Sequence, residues 1–319
     1  MVWLLVLLTP ILLGACLLAG ATGIRGLDWR SATGEAIFWL RLHRVWAGFV
    51  IGAGLSCSGV VLQALLRNPL ADPYVLGVSS GAGLGAALAI VSGLAASTVG
   101  ALPASAFLAA ILTLSLVVGL ARQGGTTSIY GLLLSGVIVS AMCASILMLI
   151  ISLAPVAGLH SITWWMLGNL QVMSPALLLI CSILIGVGML GIWALARDLN
   201  ALTLGREMAH HLGIRTGLAV TLGLLLATLT TAAAVALAGL IGFVGLIVPH
   251  LMRGLVGPDH RRLVPAAALA GGWFLALCDA LARTVLAPLE IPVGVITALI
   301  GGPFFLFLLR QRRKHGWLE

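Results

Sequence analysis

"RVWAGFVIGAGLSCSGVVLQALLRNPLADPYVLGVSSGAG" occupies Arg44–Gly83. No residue between Arg44 and Arg67 is charged. A membrane-spanning helix needs about 20 apolar residues, so this run is long enough for one span. The chain then meets Asn68–Pro69 and Asp72–Pro73. The residue before a proline avoids the α region, so the helix is broken twice over. Gly77, Gly81 and Gly85 follow at a spacing of four and start a new helix that can pack closely. The reading is a span, an enforced corner at a membrane surface, and a second span.

The rest of the chain repeats this alternation. Of 319 residues, 61% are hydrophobic and only 8% charged, and the mean hydropathy is +1.17. Soluble domains carry roughly 25% charge. A β-barrel would alternate polar and apolar residues, and these apolar runs are continuous. The fold class is therefore an all-α polytopic membrane protein. The net charge of +8 reads as basic loops on one membrane face rather than as a nucleic-acid site.

Charges measure the spans. Residues 1–24 hold none and read as a first span; "LGAC" (Leu13–Cys16) looks like a lipoprotein cleavage box, but no Lys or Arg precedes it and the apolar run continues to Ile24. The 49 uncharged residues between Asp72 and Arg122 allow two spans with a turn near Gly93–Pro103. The 74 between Arg122 and Arg197 allow two, plus a polar-aromatic piece, "LAPVAGLHSITWWMLGNLQVMSP". The 37 between Arg215 and Arg253 fit two short spans broken near Gly239–Gly245. Residues 263–285 and 291–309 supply the last two. About ten transmembrane helices result, in a single transmembrane domain over residues 1–319.

Ten spans put both termini on one side. If that side is cytoplasmic, it receives Arg67, Arg122, Arg197, Arg206, Arg215, Arg253, Arg261, Arg262, Arg310, Arg312, Arg313 and Lys314. The far side receives Arg25, Arg30, Arg41, Arg44 and Arg283. This obeys the positive-inside rule, and Trp29, Trp39, Trp46, Trp164 and Trp165 fall near the outer interface. Five spans per half is an odd number, so if the halves are structural repeats they have inverted topology. "LLRNPLADP" and "LMRGLVGPDH", each following a Gly-rich span, are the sequence support for a 5+5 arrangement.

Several chemistries are missing. The only lysine is Lys314, so no P-loop exists and the chain does not bind ATP in that way. No HExxH occurs, and five cysteines without CxxC spacing read as buried apolar residues. The histidines show no metal spacing. Asp279 is the one clear intramembrane carboxylate, and Arg283 four residues on is its expected partner. No catalytic residue is assigned, and no cofactor or metal is expected on this chain.

Two loop regions could contact other proteins. "RDLNALTLGREMAHHLGIR", about 197–215, is the longest polar interruption. Leu204, Met208 and Leu212 form a stripe at i, i+4, i+8, with Gly213 as the helix stop. This is a helix packed flat on the bundle or a docking helix for a cytosolic partner. At the outer face, Arg41 and Arg44 lie just before the second span and Arg283 ends the ninth. Such arginines snorkel to headgroups or pair with carboxylates of a docking protein.

"RLHRVWAGFVIGAGLSCSGVVLQALLRNPLADPYVLGVSSGAGLGAALA", "GLIGFVGLIVPHLMRGLVGPDHRRLVPAAALAGG", "DALAR" and "EIPVGVITALIGGPFF" occur in this order. In these stretches the chain resembles the iron-chelate/vitamin B12 permeases of type II ABC importers. The resemblance implies a homodimer in the inner membrane with a path along its two-fold axis. It implies two cytosolic ATP-binding subunits below, which carry ATP and magnesium, and a periplasmic substrate-binding protein above. It places ATPase coupling on Leu204, Gly205, Arg206, Glu207, Met208, Leu212 and Gly213. Binding-protein docking falls on Arg41, Arg44 and Arg283. The translocation path follows the fifth and tenth spans, about 128–153 and 292–309, with Ser135, Ser140, Met142 and Val295 as lining residues. One departure is His43, where the family often has proline between the two arginines. The substrate, whether siderophore, haem or cobalamin, is left open, as is an ion-coupled carrier without an ATPase.

Overall fold

The computed structural model describes residues 2–20, 31–123, 126–171 and 174–313. Arg25, Trp29, Arg30 and Lys314 lie outside the described residues. The described chain is helical apart from a two-residue antiparallel pairing of Arg122–Gln123 with Thr126–Thr127. Six helices are long and apolar enough to cross a membrane. They are α2 (Ala32–Leu65), α5 (Ala101–Ala121), α6 (Ile129–Leu153), α8 (Pro175–Ala194), α11 (Thr216–Ala238) and α13 (His260–Thr284). Four shorter apolar helices join them: α1 (Val2–Leu18), α3 (Val78–Val91), α12 (Val244–Val256) and α14 (Val293–Arg313). Short helices α4 (Leu94–Ser97), α7 (Val156–Met166), α9 (Ala196–Thr203) and α10 (Arg206–His211) sit in the connections. The breaks fall where the charge gaps put them, and α7 occupies the polar-aromatic insert.

The bundle is organised around α2. Its N-cap Ser31 accepts the Gly34 N–H at 3.1 Å, and the helix runs for 34 residues. From Val50 to Leu65 every residue is buried. Its most extensive partner is α13. Their backbones touch: a Cβ on Gly52 would collide with the Gly271 carbonyl, and one on Gly271 would collide with Ser56 and the Gly52 carbonyl. The small-residue spacings read from sequence thus serve packing within the chain. Gly81 and Gly85 do the same for α3 against Thr113, Ala109 and Ser105 of α5.

The corner after α2 is built as the two prolines require. Arg67 takes the left-handed conformation (φ 49°), a place usually held by glycine. Its N–H and that of Asn68 donate to the Ala64 and Gln63 carbonyls at 3.3 and 3.2 Å, which closes the helix end. Asp72 then caps a 3₁₀ turn over Pro73–Leu76, accepting the Tyr74 N–H at 2.8 Å. Burial pushes the Asp72 carboxyl up to about 6, against the lowering effect of that bond. Asp259 repeats the device, capping α13 by accepting the Arg261 N–H at 3.1 Å. The two capped corners lie in the two sequence stretches that suggested a repeat.

Between α11 and α12 the backbone is unwound over 239–243 and lies inside the protein. Such a break survives in a membrane only if its polar groups find partners. Tyr74 supplies them: its hydroxyl accepts the Ile241 N–H and donates to the Ile241 carbonyl, each at 3.0 Å. Nearby, the Asn169 N–H donates to the Ala238 carbonyl at 2.7 Å. Phe243 has φ 70°, and its ring fills the space left by Gly301 of α14. Gln63 of α2 donates to the Gly245 and Leu246 carbonyls and accepts from Arg253 at 3.0 Å. All five cysteines are free thiols.

Two predictions follow from this packing. Gly52→Ala should cost about 1–3 kcal/mol through overpacking. Gly186→Ala, with open space around it, should leave the thermal midpoint in detergent unchanged. Asp72→Asn keeps the cap but not the titration. A carboxyl whose pKa is raised on folding favours the fold below about 4 and loses that contribution as pH rises through about 6. The variant's melting temperature should therefore vary less between pH 4 and 6.5 than that of the wild type.

Candidate functional sites

One end of the bundle holds a buried ionic cluster. Arg41 and Arg44 lie inside α2, not before it, and are 4% and 5% exposed. On α13, Asp279 is fully buried and Arg283 is 4% exposed. The Arg44 Nε donates to Asp279 Oδ1 at 2.8 Å, and its Nη1 donates to Glu290 Oε2 at 2.8 Å. Arg283 Nε stands 2.9 Å from Asp279 Oδ2, and its N–H is aimed at the Asp279 main-chain carbonyl at 3.3 Å. That contact is therefore an ion pair without an aligned hydrogen bond. Glu290 also accepts from Gln171 Nε2 at 3.3 Å. Burial alone would raise its carboxyl, but the Arg44 bond and charge, with Gln171, hold it below the ordinary range.

The same arginines cap α1. The last carbonyls of a helix have no partner within it. Here Arg283 donates to the Ala19 and Cys16 carbonyls at 2.9 and 3.2 Å. Arg41 donates to those of Leu17 and Leu18 at 3.4 and 3.3 Å. Guanidiniums at a helix C-terminus also complement its dipole. The sequence reading put these arginines at an open interface, whereas the structure turns them inward. It paired Asp279 with Arg283 but missed Arg44 and Glu290, because the contacts are 235 and 246 residues apart in sequence.

The far end of α13, about 30 Å away at 1.5 Å per residue, carries the polar loop. The stripe expected as one helix is two. Leu204 closes α9, and Gly205, with φ 111°, separates it from α10. α9 is anchored: Leu199 and Leu202 are buried. Asn200 donates to Asp259 at 2.7 Å and accepts the His260 N–H at 2.9 Å. α10 stands out, with Ala209 turned inward. Gly213 is the stop that its position suggested. Its φ is 82°, its N–H donates to the His210 carbonyl, and Ile214 donates to that of Ala209. Leu204, Met208 and Leu212 are 63%, 52% and 59% exposed. Arg206 and Glu207 occupy the first turn of α10.

The residues expected along a path divide. Met142 lies on the outward stripe of α6, in a groove of about 540 Å³ that it lines with Val137, Ile138 and Ala141. Ser135 faces α5 instead, donating to the Val117 carbonyl at 3.1 Å. Ser140 donates to its own helix at Gly136 and faces Gly77. A serine hydroxyl in an apolar helix finds the nearest carbonyl, and here that directs both inward. Val295 is half-buried in the first turn of α14. His43 is half-buried, contacting the Trp39 carbonyl through Nδ1 at 2.7 Å. A second cavity, of about 1040 Å³, opens among α5, α7, α8 and α11, beside Leu102, His160, Trp164 and Asn169. No group of three or more metal-ligating side chains forms among the described residues.

Helices long and apolar enough to cross a membrane, with an anchored loop carrying exposed apolar side chains at one end, define the class: a multi-span membrane protein. The chain belongs to the FecCD transport family, which matches residues 2–311. It is 39% identical to the hemin transport system permease protein HmuU of Yersinia pestis, over 98% of this chain and 96% of that one. It is 43% identical to the cobalamin import system permease protein BtuC of Halobacterium salinarum, over 86% and 73%. A solved metal-chelate type ABC transporter in an inward-facing conformation superposes with a TM-score of 0.86 at 33% identity, over 97% and 98%. The type II ABC importer permease fold expected from sequence is thereby established.

The cluster makes a direct prediction. Breaking a buried pair leaves an uncompensated charge, so Asp279→Asn should destabilise by about 3–5 kcal/mol. Glu290→Gln, at the solvent side, should cost at most about 1 kcal/mol. Thermal unfolding of the two variants in the same detergent checks the order.

Proposed function

We propose that this chain is the permease subunit of an ATP-driven importer for a bulky tetrapyrrole or iron chelate, acting as a homodimer in the inner membrane. The single observation that carries the ATPase part is the α9–α10 loop. Three large apolar side chains stay exposed on a pair of short helices whose base is tied to the bundle. Fully covering one such side chain is worth about 1.5–3 kcal/mol, so a partner's cleft is a natural destination. With no P-loop on this chain, the partner supplies ATP and magnesium. Coupling then involves Leu204, Gly205, Arg206, Glu207, Met208, Leu212 and Gly213, and both termini lie on the same cytoplasmic side.

At the other end we place docking of the substrate-binding protein, over the Arg41, Arg44 and Arg283 cluster. The support is the concentration of guanidiniums beside a half-exposed carboxylate. The path runs along the outward faces of α6 and α14, where Met142 and neighbouring apolar groups are uncovered. Ser135 and Ser140 serve packing rather than lining. A wide apolar path without tight sites suits a large cargo, because strong binding would hold it. ATP-driven closure of the partner pair would move the loops and rock the two permease halves between outward and inward access. An ion-coupled carrier is disfavoured, since Asp279 is already held by two arginines. Hemin and cobalamin are the cargoes of the named relatives, and both are carried forward as candidates.

Leu204→Glu with Met208→Glu should abolish co-purification of the ATPase subunit and reduce uptake in proteoliposomes at least tenfold, with the permease still folded. Full coupling in that variant would refute the docking assignment. ATPase assays with hemin and cobalamin, each on its binding protein, would identify the cargo by stimulation.

A further inference from the structure

We propose that Glu290 is a displaceable cover on Arg44, an internal carboxylate that holds the place of one presented by a partner protein. The inference rests on the docking reading above and assigns it a mechanism.

The geometry makes Glu290 unlike the other members of the cluster. Asp279 is fully buried and the Arg44 side chain is 6% exposed, whereas the Glu290 side chain is 36% exposed. Asp279 holds Arg44 at Nε, and Glu290 holds Nη1. A group arriving from outside therefore reaches the guanidinium only where Glu290 now sits. Asp279 belongs to a helix, but Glu290 lies in the connection between α13 and α14. That connection is tied back beside it by the Ile291 N–H to the Ala282 carbonyl at 3.1 Å. The carboxylate can swing out while the fold stays in place.

Charge explains why an exchange is the favoured event. Three guanidiniums face two carboxylates in the cluster. If Glu290 left alone, Arg44 would keep a single partner in a poorly hydrated site, which is costly. If another carboxylate entered as Glu290 left, the number of ion pairs would be conserved. The surroundings fit a protein as its source. Val285, Leu286 and Leu289, on the same connection, are 60%, 56% and 72% exposed. A carboxylate ringed by apolar side chains would complete an interface with a charged centre and a hydrophobic surround. The chemistry thus names a protein surface presenting Glu or Asp among apolar residues.

The test uses the full permease with its ATPase subunits in nanodiscs. Labelling with phenylglyoxal, read by mass spectrometry, reports access to each arginine. Glu290→Ala should label Arg44 at least fivefold faster than the wild type, with Arg283 still protected. Equal protection of Arg44 in the two proteins would overturn the cover. The binding protein of the same transport system is then titrated. Glu290→Gln and Glu290→Ala should bind it roughly fivefold to tenfold more tightly, because no internal competitor remains. Unchanged or weaker binding would overturn the exchange. Arg44→Gln separates the two levels. If it binds as the wild type does, the docking reading fails, whatever the labelling shows.

Discussion

The arrangement of this bundle depends on one carboxylate. Asp279 has no contact with solvent, and its charge is tolerable only because Arg44 and Arg283 approach within 2.9 Å. Those two arginines then do second jobs. Arg44 holds the α13–α14 connection through Glu290, and Arg283 holds the end of α1. Without Asp279, Arg283 would stand buried with no carboxylate and Arg44 would keep only Glu290, so α1, α2 and α13 would lose an anchor they share. A buried ion pair is weak evidence for net stability. Its value here is positional: it fixes which residues of α2 and α13 face each other.

The glycine contacts supply what the ion pairs cannot. In lipid, apolar side chains gain little from meeting each other, so helix association relies on close approach. Gly52 and Gly271 bring two backbones into contact midway along α2 and α13. The break at 239–243 is the reverse case, where the backbone gives up its helix and a side chain must make good the loss. Tyr74 does so with one hydroxyl acting as both donor and acceptor. The corner in the opening stretch and the distant unwound segment are thus one structural unit.

Much of this is legible in the sequence. Charge gaps located the breaks, because a charge is expensive in hydrocarbon and cheap at its edge. Gly213 was readable as a stop because few residues other than glycine accept its backbone conformation, which the structure confirms. Helix phase was not legible. The apolar residues of α6 look alike on every side, so Ser135 and Ser140 gave no sign of facing inward. Gly205 was read as part of one helix, since spacing alone does not reveal a φ of 111°. The arginine cluster was half-read. Local spacing finds the pair four residues apart, but no local rule finds a partner 246 residues away.

The cap on α1 has a bearing on biosynthesis. Its carbonyls are satisfied by two arginines that leave the ribosome at very different times. Arg41 follows Leu18 by 23 residues, while Arg283 follows Ala19 by 264. At roughly 5–20 residues per second, the first arrives within seconds and the second only after some tens of seconds. For most of synthesis only one of the two guanidiniums that cap the first helix has been made. Its final seating waits for the ninth apolar helix, so the chain closes its earliest segment almost last.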